Sequence, residues 1–369
     1  MPPIYMDRHD LPGVTARDVA EAHHADVKIQ DKYNCHALTY WFDEERGNAF
    51  CLIEAPDKEA VKNMHDQAHG LVPHQLIEVD RNLVKAFLGR IEDPVNPDAD
   101  QPLALNESAF RVIMSTELKE AALLKSKLGA AAFYDAVRFV KEAVQAKIEK
   151  HRGSIVGKIR ESSLSSFTQA SAAVLCAMDI QAAITQHTIP GTEIKLQLNI
   201  GLHAGTPVTD SPDIFGQTIQ MAKQLSSLGP KGCIVASSLV GNMLKHDNVS
   251  VTSPILKILH PHDEKFINQL AGITEKSWHE PLFDIPYIVK ELAVSKSQLY
   301  RKTIALTGYS PSDLIRDYRL EKAARLIIEM DGNVSEIAYQ TGFTSPSYFS
   351  KCFRKRFGVL PSDYARHDA

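Results

Sequence analysis

Apolar positions along the chain recur with two different periods, and the changes of period divide it into parts. Pro3–Arg8 reads as extended chain. From Thr15, Val19, Ala22, Val27 and Ile29 recur at roughly helical spacing, which predicts a helix running to about Tyr33. Cys35–Phe42 and Ala49–Ile53 are strand-like and flank the polar turn Asp43-Glu44-Glu45-Arg46-Gly47-Asn48, a hairpin. Asp57–His69 reads as a second helix and His74–Val79 as a last strand. Further on, Arg111–Ser115 is a short strand and about Lys119–Lys150 a long helical stretch. Ile194, Leu196, Leu198, Ile200 and Leu202 alternate as in a half-buried strand. Gln217–Leu225 is helical, and Cys233–Ala236 is a strand after the turn Gly229-Pro230-Lys231-Gly232. From about Pro261 the chain is helical throughout, broken by short turns with Gly, Pro and Ser.

These elements predict a multidomain α+β protein. Residues 1–90 have the strand order of a ferredoxin-like sandwich. Residues 91–107 contain a Pro- and Asp-rich stretch without apolar periodicity and read as a linker. Residues 108–245 form a mixed α/β unit, the pattern loosens between about Asp247 and Pro261, and 261–369 form an all-helical domain.

Composition adds mainly exclusions. No run of 18 apolar residues exists, so no membrane span is expected, and the N-terminus lacks a signal-peptide pattern. Cys35, Cys51, Cys176, Cys233 and Cys352 are odd in number and never in a CxxC pair. Reduced thiols in a cytoplasm are expected, not a disulfide framework. The net charge of −4 conceals a segregation. Residues 1–100 hold 19 acidic and 10 basic side chains, whereas residues 285–369 hold 13 basic and 9 acidic. A polyanion-binding face is therefore expected at the C-terminus if anywhere, the excess being too modest to establish nucleic-acid binding by charge alone.

The helical domain carries two similar units. In the first, Ile285–Ala293 precedes the turn Val294-Ser295, and Ser295 caps a helix Lys296–Thr307. Leu299, Thr303 and Leu306 share an inward face, while Lys296, Ser297, Gln298 and Arg301 lie outward or at the edge. In the second, Val334–Thr341 leads through Gly342-Phe343-Thr344 to Ser345, which caps a helix with Pro346 in its first position. Phe349, Phe353 and Phe357 make the buried stripe; Ser345 and Ser347 at the start, and Lys351 and Arg354 opposite the stripe, complete the candidate contact set. A long helix, about Pro311–Met330, joins the units. Hydroxyl, amide and guanidinium groups on one exposed helical face suit base edges and phosphates in a major groove.

The runs Ser295–Lys302, Leu306–Pro311, Val334–Ala338, Thr341–Lys351, Phe353–Gly358 and Pro361-Ser362 resemble the AraC/XylS-type regulators over about residues 261–367. The resemblance implies two recognition helices reading successive major-groove segments of double-stranded DNA.

His151–Val156, Glu161–Phe167, Cys176–Gln181, Asn199–Gly205 and Asp213–Gly216 resemble class III nucleotide cyclases. That resemblance implies a two-metal site, but the family's paired aspartates fall on Glu117 and Glu161, the preceding glycine on Arg160, and the transition-state Asn and Arg on Gln220 and Gln224. The positive charge that would match a developing negative charge is gone, so cyclase catalysis is not expected.

Seven of the 15 histidines lie in residues 1–74. His65 and His69 are four apart on one helix and can face one metal ion, with His74 close behind. Met64-His65, Ala68–His74 and Thr39–Phe42 resemble a small ferredoxin-like family with a nickel-binding member. Imidazole suits nickel, zinc and copper alike, so the expectation is a divalent transition metal such as nickel. Together these features predict a homodimeric, cytoplasmic transcription regulator with a small-molecule or metal effector and no enzymatic activity. The alternatives are a divergent cyclase, or a metal-binding protein, fused to a DNA-binding domain.

Overall fold

Strand β1 (Ile4–Asp10) is followed by α1 (Ala16–Ile29), β2 (His36–Asp43), β3 (Asn48–Glu54), α2 (Lys58–Ala68) and β4 (Gln75–Val79). The four strands form an antiparallel sheet in the order β2-β3-β1-β4, the ferredoxin-like arrangement. The computed structural model describes residues 2–73, 75–95, 101–157, 161–208, 213–329 and 333–364. Helix α1 starts where expected, because Thr15 and Asp18 form a capping box. Its buried face differs from the expected one. Val19, Ala20, His23 and Asp26 point inward, and Val27 is exposed. Val19 and Ala20 pack with Tyr40, Phe42 and Ala49, while His23 and Asp26 find polar partners in Asp93 and His65.

A third helix, α3 (Arg81–Leu88), follows the sandwich. Val84, Phe87 and Leu88 join Met6, Trp41, Phe50 and Leu52 from the first sheet and Ile113, Phe215 and Ala222 from the next domain in one core. The buried guanidinium of Arg111 donates to the carbonyls of Phe87 (3.0 Å) and Leu88 (3.1 Å) at the end of α3. The first two domains thus share a hydrophobic interior. The segment between them is pinned as well: the Tyr40 hydroxyl donates to the Leu103 carbonyl and accepts from the Leu105 N–H.

The middle domain comprises β5 (Arg111–Leu118), α4 (Ala121–Leu128), α5 (Ala130–Lys150), β6 (Ser154–Val156), β7 (Ser162–Phe167), α6 (Ala170–Gln186), β8 (Leu198–Gly205), α7 (Gly216–Leu228), β9 (Ile234–Ala236), α8 (Ser238–His246) and β10 (Leu256–Ile258). Its sheet runs β10-β9-β8-β5-β7-β6. The stretch expected as one long helix breaks at Gly129, which adopts φ +75°. The strand expected from Ile194 begins at Leu198 and runs to Gly205. Both of its faces are covered, since Asn199 and Ile200 are both buried. The loosened segment after Asp247 contains β10, which closes the sheet as a parallel edge strand beside β9.

The C-terminal domain consists of α9 (Pro261–Ser277), α10 (Ile285–Glu291), α11 (Lys296–Thr307), α12 (Pro311–Glu329), α13 (Val334–Gln340), α14 (Pro346–Phe357) and α15 (Pro361–Tyr364). Two cores serve it. One joins Phe266, Ile267, Leu270, Leu299 and Leu306 to Leu225, Leu228 and Val235 of the middle domain. The other gathers Ile337, Phe343, Phe349, Phe353, Phe357 and Tyr364, with Ala122 and Leu123 of α4 against it.

Candidate nucleic-acid interface and a buried histidine cluster

Helices α11 and α14 are each 12 residues long and are built alike, fifty positions apart. Ser295 and Ser345 cap them through side-chain oxygens that accept the backbone N–H of Gln298 and Tyr348. Gly308 and Gly358, at φ +78° and +83°, end them. Leu299, Thr303 and Leu306 in one, and Phe349, Phe353 and Phe357 in the other, are buried as the spacing predicted. Lys296, Ser297, Gln298 and Arg301 are exposed on α11, and Ser347, Lys351 and Arg354 on α14. Ser345 is half-buried, its hydroxyl taken up by the cap. Gln298 is partly committed too, because its side-chain carbonyl accepts the Ser295 N–H at 2.9 Å. Among the described residues, no carboxylate forms an ion pair with Lys296, Arg301, Lys351 or Arg354. Their charge is available to a polyanion.

The 19-residue helix α12, about 28 Å long, joins the two units in sequence. Arg319 on α12 ties them together. It donates to the carbonyls of Trp278 (2.8 Å), Glu280 (2.8 Å) and Phe283 (3.2 Å) in front of the first unit. It also lies under the turn of the second, where a β-carbon on Gly342 would come within 2.8 Å of its Nε. Arg356 of α14 faces away from the exposed side and is paired with Asp317 (2.7 Å), Glu321 (2.9 Å) and, across the domain boundary, Glu120 (3.5 Å).

The N-terminal sandwich holds a polar cluster that only half its sequence signal announced. His65 is fully buried between two aspartates: its Nε2 is 2.8 Å from Asp7 and its Nδ1 is 3.0 Å from Asp26. His69 Nε2 lies 3.0 Å from His65 Nδ1 and 3.2 Å from Asp26. On the far side, His9 Nε2 is 3.5 Å from Asp7. The remaining Asp7 oxygen accepts the Cys51 N–H, and the Leu71 N–H donates to His69 Nδ1. Burial by itself would lower the His65 pKa, but hydrogen bonds to Asp26 and Asp7, with their charges, raise it to about 10. Burial would raise Asp7, yet the His9 charge and hydrogen bonds from His65 and His9 hold its carboxyl well below the carboxylate range; His65 and His69 likewise lower Asp26.

His65 and His69 therefore meet, while His74 lies outside the described residues. Asp7, His9 and Asp26 were missed. Their signals were an acid inside an apolar strand, Ile4-Tyr5-Met6-Asp7, and the helical spacing of Val19, His23 and Asp26. Two groups of three can each bring their ligand atoms within 4.8 Å: Asp7, His9, His65 and Asp26, His65, His69.

In the middle domain, Glu117 and Glu161 line one cavity, with the Lys119 ammonium 3.1 Å from the Glu117 carboxylate. Gln220 is exposed and Gln224 is buried on α7; Arg160 lies outside the described residues. Among the described residues, no helix is long and apolar enough to cross a membrane.

Two family models match the chain. Residues 288–367 match "Helix-turn-helix domain" and residues 5–79 match "Nickel responsive protein SCO4226-like". The C-terminal domain is an AraC-type helix-turn-helix domain, and the N-terminal domain is of the nickel-responsive-protein-like kind. Among curated proteins, the chain is 37% identical over 120 residues to histidine kinase P4 of Formosa agariphila, covering 32% of this chain and 9% of that protein. It is 33% identical over 94 residues to the HTH-type transcriptional regulator CdhR of Pseudomonas aeruginosa, covering 26% and 28%. The chain thus spans only a minor part of either relative's length. Among solved structures, the guanylyl cyclase domain of a fusion protein from Blastocladiella emersonii aligns at 18% identity, 37% of this chain, 84% of that chain and a TM-score of 0.33.

Proposed function

We propose that the chain is a sequence-specific transcription regulator in which α11 and α14 enter successive major-groove segments of double-stranded DNA. The observation that carries this is the duplicated, capped helix, one copy before and one after α12 in sequence, whose exposed cations form no ion pair among the described residues. Two units on α12 can meet sites roughly one helical turn, about 34 Å, apart. Lys296, Ser297, Gln298 and Arg301, and Ser347, Lys351 and Arg354, make the contacts, with Ser345 holding α14 in place through its cap. The middle domain acts as a non-catalytic connector, since amides stand at Gln220 and Gln224 where the cyclase resemblance implies Asn and Arg. Selection of bound fragments from genomic DNA at fixed salt tests the reading. A recovered two-part motif, each half weakened by Arg301→Ala or Arg354→Ala respectively, supports it. Recovery of no motif overturns it.

A second reading concerns the N-terminal cluster: it binds a divalent transition metal such as nickel through Asp26, His65 and His69. The donor set fits. His65 Nδ1 and His69 Nε2 are 3.0 Å apart, one Asp26 oxygen is 3.0 Å from the first and the other 3.2 Å from the second, and cis ligands about 2.1 Å from a metal lie roughly 3.0 Å apart. Asp7 at the opposite nitrogen is the outer carboxylate that orients a metal-binding imidazole. A bound metal would supply a charge that holds α1 and α2 together. Metal content after dialysis against Ni²⁺, Zn²⁺ or Cu²⁺ should fall with His69→Ala and persist with His9→Ala. The reverse order would move the site to Asp7, His9 and His65.

A further inference from the structure

Two cavities share wall residues where α7 of the middle domain faces α9 and α12 of the helix-turn-helix domain, Gln224 lining the smaller and Lys322 and Arg325 the larger. Their volumes are about 880 Å³ and about 660 Å³, and Lys223 and Tyr318 line both. Ligand sites usually occupy such spaces, of roughly 300–1,000 Å³, between domains.

One wall residue is anomalous. Gln224 is 7% exposed, and neither its amide nitrogen nor its amide oxygen has a hydrogen-bond partner. Buried polar atoms are almost always paired, because an unmet one costs about 1–3 kcal/mol. A buried amide with both ends unmet lacks a partner that offers an acceptor beside a donor. A leucine would fill the same space without the penalty.

Of the carboxylates that line the larger cavity, Glu117, Glu120, Asp317 and Glu321 each face a lysine or arginine of the same wall within 4 Å, and Glu161 is the other. Among the described residues, no carboxylate forms an ion pair with Lys223, Lys322 or Arg325, all of which line the larger cavity. Lys322 sits over the rings of Trp278 (5.7 Å) and Tyr318 (5.3 Å). Burial and the neighbouring Arg325 hold its ammonium below the usual lysine range, partly offset by Glu275. An anion between these groups would relieve their mutual repulsion.

We propose that this junction binds a small organic anion whose planar edge carries a hydrogen-bond donor beside an acceptor, as a pyrimidinone does. Gln224 reads the edge; Lys223, Lys322 and Arg325 hold the charge. The regulatory consequence rests on the DNA-binding reading above. A ligand bridging α7 and α12 favours one angle between the middle domain and the helix that carries both recognition units, and so couples its own binding to that of DNA.

The test titrates the full chain calorimetrically with uridine 5′-monophosphate, which has edge and anion, and with uridine and ribose 5-phosphate, which have one each. The nucleotide should bind at least about tenfold more tightly than either part. Gln224→Leu should lose about tenfold for the nucleotide and uridine but not for ribose 5-phosphate, while its melting temperature rises because the unmet amide is gone. Lys322→Gln should weaken the nucleotide and ribose 5-phosphate but not uridine. No nucleotide binding, or unchanged affinity in Gln224→Leu, overturns the proposal. DNA binding by the same variants is measured without ligand. DNA bound but no nucleotide leaves the regulator reading standing and removes this site; nucleotide bound but no DNA does the reverse.

Discussion

The two polar surfaces of this protein are built in opposite ways. On α11 and α14, Arg301, Lys351 and Arg354 are exposed and form no ion pair among the described residues. In the N-terminal sandwich, Asp7, Asp26 and His65 are buried and answer one another's charges within 2.8–3.0 Å. The first arrangement costs the fold little and leaves charge free for a ligand. The second makes each group depend on its neighbours, so that function and stability cannot be separated there.

The largest expected effect tests that dependence. His65→Leu removes the shared histidine between buried Asp7 and Asp26, leaving each only its outer histidine, His9 or His69, and should cost about 3–5 kcal/mol of stability in urea unfolding, along with metal binding. Stability within about 1 kcal/mol of wild type would break the contrast. Arg354→Ala is the opposite case. It should leave the unfolding midpoint in place and weaken DNA binding by about 1–3 kcal/mol, or roughly 5- to 150-fold. A shifted midpoint would show that the exposed face also has a structural duty.

The middle domain supplies an intermediate case. His203 is partly buried, its Nδ1 has no partner, and burial lowers its pKa to about 4. The unfolded chain takes up this proton as pH falls through about 6.5, whereas the folded chain holds off until about 4. Stability is therefore full above that window and lost as pH falls through it, by about 1–2 kcal/mol once partial exposure is allowed for. Thermal melts from pH 7 to 4.5 should show a shallower loss in His203→Asn. Smallest are the caps. Ser295→Ala and Ser345→Ala should each cost about 1 kcal/mol, and similar values would confirm that the two units are held alike.

Legibility in the sequence followed the range of the interaction. The caps Ser295 and Ser345, the stripe Phe349, Phe353 and Phe357, and the hairpin around Gly47 are local and were readable. His65 and His69 were readable because four residues make one helical turn. Asp7 and Asp26 were not, since strand β1 and helix α1 reach His65 only after folding. The same limit hid the exposure of Val27, the break at Gly129 and the pairing of β10.

By itself, then, the sequence determined the ferredoxin-like strand order, the two capped recognition helices and the polar residues they present, because turns, caps and periodicity act within a few residues. Only the tertiary structure decided which aspartates close the histidine cluster. It also decided that α3 and the first sheet share a core with the middle domain, and that Gln224 faces the helix-turn-helix domain without a partner. Those outcomes depend on contacts between residues tens to hundreds of positions apart. Burial and pairing of charge are properties of the packed whole, and no local pattern carries them.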